Sequence, residues 1–434
     1  MVRRAGWDRG AAVLALMALG AGGLWAQGLR GTVVGTSEGL VALAVAPPAG
    51  GSVAGVAFDG VLRADLERSG RFRLVPFTGA APSQPSQVRG PLVPPGASFL
   101  LSTALRAGDG DLGVEAYLVA AGSGAAVLAR EYRVPREGVA VATHRLADDL
   151  VAELTGEPGF ALSTIVYVAE HEGRPALFST RPDGSEDARV VSGPFPCLFP
   201  RFARDRDWVV YTAYPRGFPE LFVRDLGSGR NHAVSSRAGL NTLAALSPDG
   251  SLIAATLSFE GNPELYVLSL TGVVRHRLTR ARGCDLSPTW SPDGTRVAFV
   301  SDRSGAPQIW VVDVQGKEEP RQLTYPFNAA RYCTAPSWSP RGDVVAFSAQ
   351  TDGAFDLFTV HVGTGEVQRL TTGGGDEEDP DWAPDGRHLV AATSSGDRSG
   401  LVIIDTRDPA RRVAVALPSA RRRVRSPTWS PAGR

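Results

Sequence analysis

A large apolar residue followed by a fixed polar turn recurs through the last two-thirds of the chain. Trp290-Ser291-Pro292-Asp293-Gly294 returns as Trp338-Ser339-Pro340-Arg341-Gly342, Trp382-Ala383-Pro384-Asp385-Gly386 and Trp429-Ser430-Pro431-Ala432-Gly433. Leu246-Ser247-Pro248-Asp249-Gly250 is a weaker copy, and Phe202-Ala203-Arg204-Asp205-Arg206 a decayed one. The apolar positions stand at 202, 246, 290, 338, 382 and 429, in steps of 44, 44, 48, 44 and 47. That period matches a propeller blade and exceeds the shorter helical repeats. Ser-Pro-Asp-Gly reads as a type I turn, with proline presetting φ at the second position and glycine tolerating the exit. Short β-branched or aromatic runs follow each turn, as in Val297–Val300 and Ile309–Val312, with an outer run near Arg321–Thr324. Bounded by turn residues, such runs are strands.

Ile165-Val166-Tyr167-Val168 has the pattern of a post-turn strand without a motif before it, and the last motif, at Trp429, has no strand after it. Five whole units and one split unit predict six blades, the ring being closed by pairing Ser426–Ser430 with the run at Ile165. Such closure removes the exposed edges of an open array. Upstream, helical spacing of Phe58, Leu62 and Leu66 predicts a helix over Val56–Ser69, and Leu146, Leu150 and Leu154 a second over Glu137–Thr155. Leu40–Ala46, Phe72–Val75, Phe99–Leu105, Val114–Ala120 and Val127–Arg133 read as strands, with a Pro-rich loop over Gly79–Gly96. The fold class is therefore mostly β: a six-bladed β-propeller over 163–434, preceded over 28–157 by a small α/β domain of a mixed sheet with two helices.

Residues 1–26 form a separate unit. Arg3, Arg4 and Arg9 precede an apolar run from Ala11 to Trp25, and Ala26-Gln27 supplies a cleavage site. This is the order of a cleaved secretory signal, and the run is short for a membrane span. Acidic and basic residues balance at 45 each, which argues against a nucleic-acid footprint. The chain is expected to be exported as a soluble monomer without a cofactor.

Together these features resemble the TolB family, the periplasmic propeller component of the Tol–Pal envelope system. The resemblance extends beyond the turn motif to Arg63-Ala64-Asp65-Leu66-Glu67-Arg68-Ser69-Gly70-Arg71-Phe72, to the link Leu154-Thr155-Gly156-Glu157, and to the end Ser426-Pro427-Thr428-Trp429-Ser430-Pro431. It implies a scaffold that binds the peptidoglycan-associated lipoprotein Pal, supporting outer-membrane integrity and constriction at division. It also implies TolA binding through the mature N-terminus, where Gly28–Gly35 departs from the family pattern.

Strands alternate direction within a blade, so all segments preceding inner strands emerge at one mouth and the Ser-Pro-Asp-Gly turns at the other. The first mouth gathers Leu198, Leu240, Asn241, Asp285, Leu286, Arg331, Tyr332, Asp376, Glu377, Glu378, Asp379, Arg422, Arg423 and Arg425. These segments vary while the turns repeat, as expected of a recognition face. The resemblance implies that Pal docks there; charge changes at Asp293 and Asp385, in the turns, are expected to leave docking intact.

Four other features of the sequence suggest different chemistry. Gly35-Thr36-Ser37-Glu38-Gly39 fits a nucleophile elbow but lacks room for a hydrolase domain around it. His144, His171, His232, His276, His361 and His388 are scattered without metal-ligand spacing. Asp376–Asp379 is acidic enough to suggest Ca²⁺ but reads first as a solvated or partner-facing patch. Cys284 and Cys333 hold nearly equivalent places in successive blades and are candidates for a bridge in an oxidising compartment; Cys197 is left over. The competing functional classes are a propeller-channel hydrolase or lyase and a TolB-like propeller with another partner.

Overall fold

The computed structural model describes residues 39–49, 53–80, 82, 84–326, 332–351, 353–373 and 375–431. The signal segment, Gly28–Gly35, Thr36–Glu38 of the elbow motif and Arg331 lie outside the described residues. No helix among the described residues is long and apolar enough to cross a membrane.

The N-terminal part contains strands β1 (Val41–Val45), β2 (Phe72–Val75), β3 (Phe99–Ala107), β4 (Asp111–Ala120) and β5 (Ala126–Pro135), with helices α1 (Val53–Arg68) and α2 (Val139–Thr155). The sheet order is β2-β1-β3-β4-β5, with β1 parallel to both neighbours and the rest antiparallel. Alternation along β1 divides its side chains between two faces. Leu43 and Val45 meet Phe58, Leu62 and Leu66 of α1 and Leu146 and Leu150 of α2. Ala42 and Ala44 face the other way, where Val88 of the Pro-rich loop covers the sheet. α2 begins two residues later than the apolar spacing predicts, because Arg136–Gly138 forms a 3₁₀ turn. It ends at Gly156, whose φ of 71° closes the last turn onto the Ala152 carbonyl.

Six four-stranded antiparallel sheets form the propeller. Numbered from the split sheet, blade 1 pairs Arg425–Trp429 with Ile165–His171, in the register Thr428↔Val166 and Trp429↔Ile165. Blades 2 to 6 carry inner strands Cys197–Phe202, Asn241–Leu246, Asp285–Trp290, Cys333–Trp338 and Asp376–Trp382. The split unit therefore closes the ring as the missing strand predicts. Each repeat turn is closed by an i to i+3 bond, from Gly250, Gly294 and Gly342 N–H to Ser247, Ser291 and Ser339 carbonyls at 2.8, 2.9 and 3.0 Å. The serine hydroxyls of blades 3 and 4 donate to Asp249 and Asp293 at 2.6 and 2.5 Å, locking the turn from within.

Each inner strand carries a feature that the turn motif does not announce. Phe199, Leu243, Ser287, Ala335, Asp379 and Ser426 all have φ between 47 and 54°, at the point where the register with the next strand slips. A left-handed non-glycine residue costs roughly 1–2 kcal/mol, so this bulge is held by the packing around it. Five of the six are followed by proline (Pro200, Pro288, Pro336, Pro380, Pro427), which has no N–H for the ladder and is tolerated where pairing is interrupted.

The tryptophans pack between blades. Trp290 Nε1 donates to the Ala245 carbonyl of blade 3 and Trp382 Nε1 to the Ser337 carbonyl of blade 5, each at 3.0 Å. The three cysteines are free, which corrects the expectation of a Cys284–Cys333 bridge. Cys333 opens its inner strand and is buried, but its structural counterpart in blade 4 is Asp285. Cys284 lies one residue earlier, in the preceding turn.

Candidate functional site

At the mouth opposite the repeat turns, Asp376, Glu378, Asp379, Arg422, Arg423 and Arg425 converge on an open cavity of about 1040 Å³. The acidic side belongs to the blade 6 inner strand and the basic side to the segment entering blade 1, so the two charge runs meet because the ring closes there. Asp379 sits at the bulge, and its Oδ2 accepts the Ser426 N–H and hydroxyl at 3.0 and 2.9 Å, tying the blades together. Asp376 accepts the Phe355 N–H at 2.9 Å. Glu378 is half-buried; burial first, then Asp379 and Asp376, push its pKa up to about 7. Arg422, Arg423 and Arg425 are exposed, Arg423 lying 3.3 Å from Glu170.

Three of the residues expected at this mouth do not present their side chains there. Asn241 is buried, accepting from Ser235 and Arg237 and donating to the Arg237 carbonyl. Asp285 is buried against Arg303 at 2.6 Å, and Glu377 against Arg412 at 2.8 Å. These positions open or lie at the head of their inner strands, and pairing turns their side chains into the blade. Leu198 and Leu286 are half-buried; Leu240 and Tyr332 remain exposed, Tyr332 at 43%.

Sequence reasoning missed the hairpins between second and third strands, which emerge at this same mouth. They bring Asp397 and Arg398 to the cavity and expose Phe218. Tyr325, 63% exposed on the way into blade 5, adds a further aromatic. Strand alternation was sufficient to find all of them.

The turn end is different, because the N-terminal domain sits on it. Gly70, at the end of α1, approaches so closely that a Cβ there would stand 2.9 Å from Asp405. Its carbonyl accepts from Arg387 at 3.2 Å, and the Glu67 carbonyl accepts from Arg411. Glu157 of the link meets Arg71, Arg341 at 3.2 Å and Arg407 at 3.9 Å. His144 on α2 shares 2.6 Å with Asp65 on α1 and lies 3.6 Å from Asp183 of blade 1. Burial would lower the His144 pKa, but the hydrogen bond to Asp65 and the charges of Asp65 and Asp183 outweigh it, and the pKa stands above the usual imidazole value.

Asp385 is the counterpart in blade 6. It is buried and bonded to His388 at 2.6 Å, and His388 packs on Phe160 of the link at 4.9 Å between ring centroids. Burial alone would raise Asp385; the His388 charge and hydrogen bonds reverse this and hold it at about 2. Asp385 is therefore not the neutral turn residue that the repeat suggests, and only exposed Asp293 serves as a silent control. Asp148 of α2 accepts the Ala161 and Leu162 N–H groups at 2.7 and 3.0 Å, yet burial pushes its pKa up to about 6. Among the described residues no group of three or more His, Cys, Asp or Glu is arranged to hold a metal.

Residues 151–433 match the family model described as the TolB beta propeller domain. The Tol-Pal system protein TolB of Dechloromonas aromatica is 29% identical over 232 residues, 52% of this chain and 54% of that protein. The Tol-Pal system protein TolB of Desulfosudis oleivorans is 34% identical over 164 residues, 38% of this chain and 37% of the relative. The chain thus matches about half or less of these relatives' length. The crystal structure of TolB from Acinetobacter baumannii superposes with a TM-score of 0.79 at 28% identity, covering 91% of this chain and 97% of that one. The family model spans the propeller and the solved structure spans both parts of the fold: the chain belongs to the TolB family, the β-propeller component of the Tol–Pal system.

Proposed function

We propose that this chain is a periplasmic docking scaffold of the Tol–Pal system, exported by residues 1–26, and that Pal binds at the mouth opposite the N-terminal domain. It acts by binding and not by catalysis, supporting outer-membrane integrity and envelope constriction at division. One observation carries the reading. The N-terminal domain occupies the turn end over blades 1, 5 and 6, while the other end exposes Phe218, Leu240, Tyr325 and Tyr332 together with Arg422, Arg423 and Arg425. Aromatic and arginine side chains are the residues that anchor protein interfaces. Mixed charge in the same cavity gives orientation and on-rate more than affinity. TolA contact is assigned to the mature N-terminus at Gly28–Gly35.

The test is calorimetric titration of the mature chain with the soluble domain of Pal. The expected result is saturable 1:1 binding to a monomer. Absence of heat and of co-elution on gel filtration overturns the assignment of Pal as partner.

A further inference from the structure

A second cavity, of about 330 Å³, lies on the propeller axis at the turn end. All six inner strands reach it, and Pro158 of the link stands at its rim. Its lining includes Phe202, Ala203, Ala245, Leu246 and the four repeat tryptophans, which are nearly buried between the blades, and two arginines reach it from blade 2. Arg204 crosses the axis and donates to the Trp338 carbonyl of blade 5, the opposite blade, at 2.6 Å. Arg201 stands 3.6 Å from Asp381 Oδ1, beyond hydrogen-bonding length.

Three of the roughly four acceptor sites of Asp381 are already taken. Its Oδ1 accepts the Ser337 hydroxyl at 2.6 Å, and its Oδ2 accepts the Thr428 hydroxyl and the Trp429 N–H, both at 2.8 Å. That carboxylate is engaged in joining blades 5, 6 and 1. Asp205, the other acid near Arg204, is exposed in its turn. Each guanidinium presents five donors in a planar fork suited to a carboxylate. Burial opposes the charge of Arg204 and lowers its pKa, more than Asp381 and Asp205 raise it. A cation so placed gains from an anion brought beside it.

We propose that this axial cavity binds a small organic carboxylate, its oxygens taking the free donors of Arg201 and Arg204 and its apolar body lying against the apolar part of the lining. The volume lies at the lower end of the range for ligand pockets, and an apolar wall with a few convergent polar groups is their usual make-up. That apolar lining selects a carboxylate carrying a hydrocarbon body over a bare inorganic anion. The site is separate from the docking mouth, at the other end of the axis.

Sodium benzoate is the probe, titrated into the mature chain at fixed ionic strength with tryptophan fluorescence as the readout; benzyl alcohol is the neutral isostere and inorganic phosphate the bare anion. The expected result is a saturable change with benzoate, at least about tenfold weaker with either comparator. Loss of a charge-assisted hydrogen bond is worth roughly a tenfold change or more, so R201Q is expected to weaken benzoate about tenfold. R204Q also removes the bond to Trp338, so R201Q is the decisive variant. R422E/R423E, at the far mouth, should bind benzoate as wild type does whether or not Pal docks there. A wild-type response that does not saturate, or an R201Q affinity equal to wild type, overturns the proposal.

Discussion

Where the N-terminal domain meets the propeller the charged groups are spent on the fold, whereas at the open mouth many of them face water. Asp385, Asp405, Glu157 and Asp183 each have an arginine or histidine partner from another strand, turn or domain. Arg422 and Arg425 are exposed, and burial first, then Asp379 and Asp376, raises the Glu378 pKa to about 7. The same repeat builds both ends. The difference lies in what each end meets: a second domain demands matched partners, and an open mouth leaves side chains available to another molecule.

The largest expected effect comes from breaking the closed end. D385R buries a guanidinium in place of the carboxylate bonded to His388 Nδ1, a loss of about 3–5 kcal/mol by analogy with broken buried pairs. Thermal or urea unfolding should show it clearly. R422E/R423E should change stability by no more than about 0.5 kcal/mol, as exposed substitutions do. Equal losses in the two variants would erase the distinction between the ends.

A smaller effect is expected from E157Q. It weakens the meeting point of Arg71, Arg341 and Arg407 but leaves the hydrophobic contacts of Phe160, so a loss of about 1 kcal/mol is expected, with faster proteolysis between Gly156 and Ser163. Unchanged cleavage would mean that Glu157 does not hold the link.

The pH profile separates the ends further. Asp148 keeps its proton up to about pH 6 in the folded chain against 3.8 when free, so stability falls as pH rises from about 4 to 6. His144 is held above 6.5; its contribution is complete below that value and is lost as pH rises through the folded value. Both make the domain contact tighter in mild acid, and the melting temperature should fall between pH 5 and pH 8. The depressed carboxylates Asp183, Asp385 and Asp405 withdraw support only below about pH 4. D148N, which gives up one of the two accepted N–H bonds, should lose the slope between about pH 4 and pH 6 whatever its absolute stability. A parallel profile in D148N would exclude Asp148 as a source of the slope.

Much of this architecture is legible in the residues. The period of the large apolar positions yields the blades, and a strand without a motif plus a motif without a strand yields the closure. Strand alternation tells which end gathers the variable segments. It does not tell which of their side chains point outward, and Asn241, Asp285 and Glu377 turn in because each lies at the head of a paired strand. The bulge was present as a proline two residues before five of the six large apolar positions, a sign easily read as part of the turn motif. The domain contact was hidden by distance, since Gly70 and Arg387 are 317 residues apart. One clue to it was visible. His388 stands where blades 3, 4 and 5 have Leu252, Arg296 and Val344, and Ala383 replaces the serine that in blades 3 and 4 occupies the turn aspartate.

The most direct measurement of the central claim is Pal affinity at two salt concentrations for wild type, R422E/R423E and D293R. Docking at the open mouth predicts that R422E/R423E binds about tenfold more weakly at low salt and with an altered salt dependence, while D293R binds as wild type does. Loss of binding in D293R with wild-type affinity in R422E/R423E would place the partner at the other end and contradict the account.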